Sequence, residues 1–238
     1  MTEHPMLPLL RRSLASVEER IQAACARAGR RREEITLVAV TKTVSGEVAR
    51  LVPQLGVYDL GESRPQELWR KAAALEDVPG VRWHQIGHLQ RNKVERTLPL
   101  VHCIHSVDSL RLLEALEQEA RRTDRTVPIF LEINASGEEE KHGFAPEALP
   151  QLKDTLGELT HLHALGLMTM AAYTEDPEAT RPTFALLRRL REQLQQDLGQ
   201  AHPMNQLSMG MSNDFEVAIE EGATSIRLGT ILFAEALA

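Results

Sequence analysis

Cysteine is almost absent from this chain: 238 residues contain two, Cys25 and Cys103. They lie far apart and form no metal-type or redox-type spacing, so a reduced, cytoplasmic setting is the simplest inference. Positive charge is not in excess. The net charge is −7, the sequence pI is about 5.8, and the runs Arg30–Arg32, Arg121–Arg122 and Arg188–Arg189 are each relieved by nearby acids. Nucleic-acid binding through phosphate neutralisation is therefore disfavoured. No apolar run approaches the roughly 20 residues that span a bilayer, so no membrane partner is expected. The opening MTEHPMLPLLRRSLASVEER lacks the basic start and apolar core of a signal peptide. No Gly-x-Gly-x-x-Gly follows an early strand, which weakens a dinucleotide-binding reading. No linker or low-complexity tract cuts the chain, and 1–238 reads as one domain.

What is present is periodicity. Leu9, Leu14, Val17, Ile21, Ala24 and Cys25 recur at helical spacing, with Gly29 as a stop. Eight strand-like runs follow: 35–41, 57–61, 81–88, 101–107, 127–135, 162–170, 205–212 and 225–233. Helix-like stretches separate them, some opened by capping signals such as Ser63 before Pro65 or Ser212-Asn213-Asp214 before Phe215. Strict alternation predicts a parallel sheet with helical crossovers. Eight repeats in this length favour an α/β fold of the TIM type, a single (β/α)8 barrel with an extra N-terminal helix, over an open doubly wound sheet.

Function in such a barrel collects at the carboxyl ends of the strands. The first strand, ITLVAVT, ends by presenting Lys42. A lysine there is ordinarily a solvated charge. The last two strands supply Ser212, Gly229 and Thr230, the composition of a phosphate cradle, although Ser212 alone reads as an N-cap and Gly229-Thr230 as a turn. Arg227 interrupts the apolar run SIRLGTILF, where alternation puts Arg227, Gly229 and Ile231 on one face. A guanidinium aimed into a barrel must meet an acceptor, in a salt bridge or on a ligand. An amine facing a phosphate site across the barrel mouth suits an aldehyde that bears a phosphate. Pyridoxal 5'-phosphate (PLP) has both groups, and partial burial would help the lysine form its Schiff base.

The motifs VAVTKTVS, GESRPQE, WHQIGHLQRNK, IHSVDS, INASGEEEKHGF, GLMTM, LSMGMSNDFEVAI and GATSIRLGTILF resemble the pyridoxal phosphate homeostasis proteins, relatives of the N-terminal barrel of alanine racemase. The resemblance runs from about Leu9 to Phe233. It implies that Lys42 carries the Schiff base and that Ser212, Gly229 and Thr230 cradle the phosphate, with Ser208 and Met209 on the same wall. It further implies that Arg227 faces the pyridine nitrogen and that His84 sits near the ring. The family usually has Asn where this chain has Ser63, which implies a looser contact there.

By the same resemblance, the expected role is PLP binding in intracellular PLP homeostasis and amino-acid and keto-acid balance, with apo PLP-dependent enzymes as recipients; small size and the lack of a second domain lean towards a monomer. The alternative is an active PLP-dependent racemase or lyase. That chemistry needs a second acid/base, supplied in alanine racemase by a tyrosine of an added domain; here the only tyrosines are Tyr58 and Tyr173, and the sequence stops at Ala238. A third reading is a Schiff-base aldolase acting through Lys42 directly. His84, His88, His102 and His105, with Glu62 or Asp108, raise a metal reading, but no metal is expected. Glu138–Glu140 reads as a solvated loop.

Overall fold

A strand that buries both faces needs helices on one side and a packed interior on the other, and this chain takes the closed solution. The computed structural model describes residues 4–138, 142–198 and 202–237, so Glu139 and Glu140 of the acidic run lie outside the described residues. The strands are β1 (Thr36–Val40), β2 (Asp59–Glu62), β3 (Arg82–Gln85), β4 (Cys103–Val107), β5 (Val127–Glu132), β6 (Leu162–Met168), β7 (Gln206–Ser208) and β8 (Ser225–Leu228). All pair in parallel in sequence order, and β8 closes on β1 with Thr36 opposite Ser225 and Ala39 opposite Leu228.

Helix α1 (Leu7–Arg27) precedes the barrel. The crossovers carry α2 (Gly46–Ala49), α3 (Pro65–Ala74), α4 (Val94–Thr97), α5 (Leu110–Arg122), α6 (Leu149–Gly157), α7 (Arg181–Leu198) and α8 (Phe215–Glu220), and α9 (Thr230–Leu237) follows the last strand. The stripe Leu10, Val17, Ile21 and Ala24 is the buried face of α1, packed against α8 and α9. Arg20 and Arg27 pin it there through Glu216 and Glu220 at 2.6 and 2.7 Å.

The period of two divides each strand between two cores. Leu37, Ala39, Leu60, Ile104, Leu131, Leu207, Ile226 and Leu228 face the helices in one continuous apolar layer. The barrel interior holds a smaller apolar cluster of Cys103, Phe130 and Met168. Such interiors are usually filled by branched aliphatic side chains. Here Asp59, His84, His105, Ser208 and Arg227, all buried, share the space.

Several boundaries differ from the periodicity. The eighth strand stops at Leu228, and TILF opens α9, so Ile231 lies on a helix and shares no strand face with Arg227. A short apolar run fits a buried strand or a buried helix equally well, and only packing against α1 decides. The stretch after Lys42 breaks into the four-residue α2 and a 3-10 turn at Pro53–Leu55, because proline cannot continue the α-helical ladder. Arg64, not Ser63, precedes the first turn of α3, whose first position is Pro65.

Candidate functional site

The carboxyl end of β1 is clamped before it releases Lys42. The Thr41 amide donates to the Gly61 carbonyl at 2.9 Å, its hydroxyl donates to Glu62 Oε1 at 2.8 Å, and its carbonyl accepts from Lys71 Nζ at 2.6 Å. Lys71 also pairs with Glu62. Both side chains are essentially out of water, at 1% and 0% exposure, so the pair is a fixed strut behind the strand. Lys42 itself is exposed; the partial burial expected from its apolar neighbours is not found. No described residue is hydrogen-bonded or ion-paired to its amine.

The ends of β7 and β8 meet beside it. Gly210, at φ +97°, takes the chain out of β7 in a left-handed conformation, and a Cβ there would stand 2.6 Å from that of Ala218. The Arg227 amide donates to the Gly210 carbonyl at 3.0 Å. Ser212 Oγ accepts from the Ile231 amide at 3.4 Å, and Asn213 Nδ2 donates to the Thr174 carbonyl at 2.8 Å. Thr230 opens α9 with Gly229 immediately before it, so the positive end of this helix's dipole lies at the mouth. Because β8 pairs with β1, the cradle adjoins Lys42 and does not face it from across the mouth.

The predicted ring contacts lie deeper. Arg227, 4% exposed, donates to Ser208 Oγ at 2.6 Å and to the Thr169 carbonyl at 3.0 Å. It has no carboxylate within salt-bridge distance among the described residues, so neutral oxygens supply the acceptors that its burial demands. Burial lowers its pKa to about 10, opposed by Glu132 and Asp214, and it stays a cation at neutral pH. From Ser208 a chain crosses the barrel. His105 Nδ1 lies 2.7 Å from Ser208 Oγ, His105 Nε2 lies 2.9 Å from His84 Nδ1, and His84 Nε2 lies 2.9 Å from Asp59 Oδ1. Asp59 also takes Arg82 in a two-point pair.

Donor logic orients this chain. Arginine only donates, so the Ser208 hydroxyl proton turns to His105 Nδ1; His105 Nε2–H then donates to His84 Nδ1, and His84 Nε2–H to Asp59. Burial pushes His105 well below the usual imidazole range, reinforced by His84 and Arg227. Asp59 is driven up by burial but held well below the carboxylate range by its bonds to Arg82 and His84.

The predicted residues thus separate. Lys42, Ser212, Gly229 and Thr230 come together at the mouth, and Ser208 and Arg227 lie immediately beneath. His84 is buried with both ring nitrogens engaged. Ser63 is half-buried, and its carbonyl accepts from Gln85 Nε2 at 3.1 Å. The Met209 side chain is fully buried within the large apolar core. Asp59, Glu132 and Lys71 were missed. The first two interrupt apolar strand runs as Arg227 does, and Lys71 stands in the stripe of Leu68 and Leu75. Glu132, 4% exposed at the end of β5, has its pKa raised to about 7 by burial and by Asp108, against Arg227 and His88.

Residues 13–236 match the family model of the alanine racemase N-terminal domain. Over 222 residues the sequence is 46% identical to the pyridoxal phosphate homeostasis protein of Aquifex aeolicus, covering 93% of this chain and 96% of the relative. The chain belongs to the pyridoxal phosphate homeostasis protein family. The structure of the family member PipY from Synechococcus elongatus, with PLP bound, superposes with a TM-score of 0.82 at 32% identity, covering 94% of this chain and 99% of that one. An alanine racemase of Clostridium difficile shares the fold at 18% identity and a TM-score of 0.71, and this chain spans 58% of its length. No described helix is long and apolar enough to cross a membrane.

Proposed function

We propose that this chain binds PLP as a carrier and buffer in intracellular PLP homeostasis and amino-acid and keto-acid balance, with the cofactor held covalently by Lys42. The observation that carries the reading is the meeting of an exposed amine, without a partner among the described residues, with a helix start of glycine and hydroxyl residues. The donor set fits the group. Lys42 offers the nucleophile, Ser212, Gly229 and Thr230 offer hydroxyls and amides to a phosphate, and the buried cation Arg227 sits below. When bound, PLP supplies an aldehyde that an amine captures reversibly and a ring that withdraws electrons. Thr41, locked by Lys71 and Glu62, orients the lysine; by resemblance Arg227, held by Ser208 and Thr169, would face the ring nitrogen as a cation. Ser63 and His84 are assigned to the ring side by resemblance, His84 acting through His105 and Ser208.

Binding rather than turnover is the favoured role. Tyr58 lies at the amino end of β2, where its carbonyl accepts from Arg82, and Tyr173 is 85% exposed on the β6–α7 connection. Neither supplies a buried acid/base against Lys42. The reading extends to one barrel domain over 1–238, a monomer, a cytoplasmic setting and delivery to apo PLP-dependent enzymes. The deciding experiment is an absorbance spectrum. The purified protein should show a visible band that borohydride removes and that Lys42→Ala lacks. A colourless protein trapped by a phosphorylated keto substrate would favour the aldolase, and robust amino-acid racemisation would favour the enzyme. Light scattering tests the monomer.

A further inference from the structure

On the far rim of the mouth, three side chains from consecutive connections converge: His88 after β3, Asp108 after β4, and His142 between β5 and α6. Their ligand atoms all lie within 4.8 Å of one another. His88 Nδ1 stands 2.6 Å from Asp108 Oδ2, and the His88 and His142 rings stack with centroids 4.4 Å apart at 15°. The carboxylate is seated at 5% exposure while the His88 ring is 45% exposed. The site is therefore closed from the protein side and open toward solvent. These residues take no part in the Lys42 cradle or in the chain that crosses the barrel. An imidazole binds a metal through an in-plane ring nitrogen, and the ligand nitrogens and the carboxylate oxygen of these three side chains lie close enough together to converge on one ion.

We propose that His88, Asp108 and His142 form a binding site for one divalent transition-metal ion of the zinc class. Two imidazoles and one carboxylate suit zinc, cobalt or nickel; magnesium and calcium prefer all-oxygen sets. Three protein ligands leave open positions for water or an anion. His88 and Asp108 also line a cleft of about 580 Å³ that includes Arg91 and Arg111, so an anionic outer ligand is matched in charge. The other convergence of metal-ligating types, His84, Cys103 and His105, does not compete. Its imidazole nitrogens are committed to the buried chain, and burial pushes the Cys103 thiol upward, away from the thiolate that a metal needs.

The test uses the untagged full chain and the metal alone, with Zn²⁺ by calorimetry and Co²⁺ by visible absorbance. One ion per chain is expected. Asp108→Asn and His88→Gln should each weaken binding by at least about tenfold, as should His142→Gln on its exposed loop, with melting curves confirming that each variant is folded. Lys42→Ala should bind the ion as tightly as the parent. Absence of stoichiometric binding, or equal affinity in the three variants, overturns the site. A cobalt–thiolate charge-transfer band would place the ion at Cys103 instead, and loss of binding in Lys42→Ala would place it on the cofactor; either result refutes the assignment.

Discussion

Lys71→Met removes an ammonium from inside the barrel wall while keeping an unbranched apolar stem. Lys71 is 1% exposed and its partner Glu62 0%, so neither charge has water to fall back on. The second carboxylate oxygen of Glu62 already lacks a partner. The substitution leaves that carboxylate uncompensated and strips the Thr41 carbonyl of its donor. Breaking a buried pair from one side costs about 3–5 kcal/mol, a large part of a total stability of roughly 5–15 kcal/mol. For a chain of this size that corresponds to a melting temperature lower by about 6–20 °C. Urea unfolding followed by circular dichroism measures the loss. The double variant Glu62→Leu/Lys71→Met should recover a substantial share, because it buries no charge at all. PLP affinity should fall in Lys71→Met at a temperature where the protein is folded, since the Thr41 carbonyl frames the lysine. A loss under about 1 kcal/mol, or a double variant no better than the sum of its parts, would refute the strut.

Two predictions concern pH, and a third the cofactor pocket. Glu132 has a folded pKa of about 7 against an ordinary 4.5, so its favourable contribution is full below the lower value and lost as pH rises through the upper. Stability curves of the parent and Glu132→Gln should diverge across that window by up to roughly 3 kcal/mol; parallel curves would contradict it. Asp59 is depressed, so its contribution is present above the ordinary carboxylate pKa and disappears in acid; Asp59→Asn should be less stable at neutral pH and flatter at the acid end. Nitrogen-resolved NMR of His84 and His105 should report the same tautomer on both rings, each protonated at Nε2, with the His105 Nε2–H facing an unprotonated His84 Nδ1. A protonated Nδ1 on either ring would refute the proposed direction.

Much of the architecture is local. The near-continuous apolar runs such as ITLVAVT and VPIFLEINA, set against amphipathic helices, specify strands buried on both faces, and eight such units leave the barrel as the favoured closure. Lys42 at a strand end, glycine and hydroxyl residues at two others, and Arg227 inside an apolar run are legible because each violates the pattern around it. What those exceptions touch is not local. The closing pair of β1 with β8 set Lys42 beside Gly229, and α1 supplied the surface on which TILF became a helix. Ser208 and His105, 103 residues apart, share a hydrogen bond only because their strands face one interior. Spacing along a chain encodes which face a side chain takes; which partner waits on that face depends on how the whole sheet closes, and this only the tertiary structure decided.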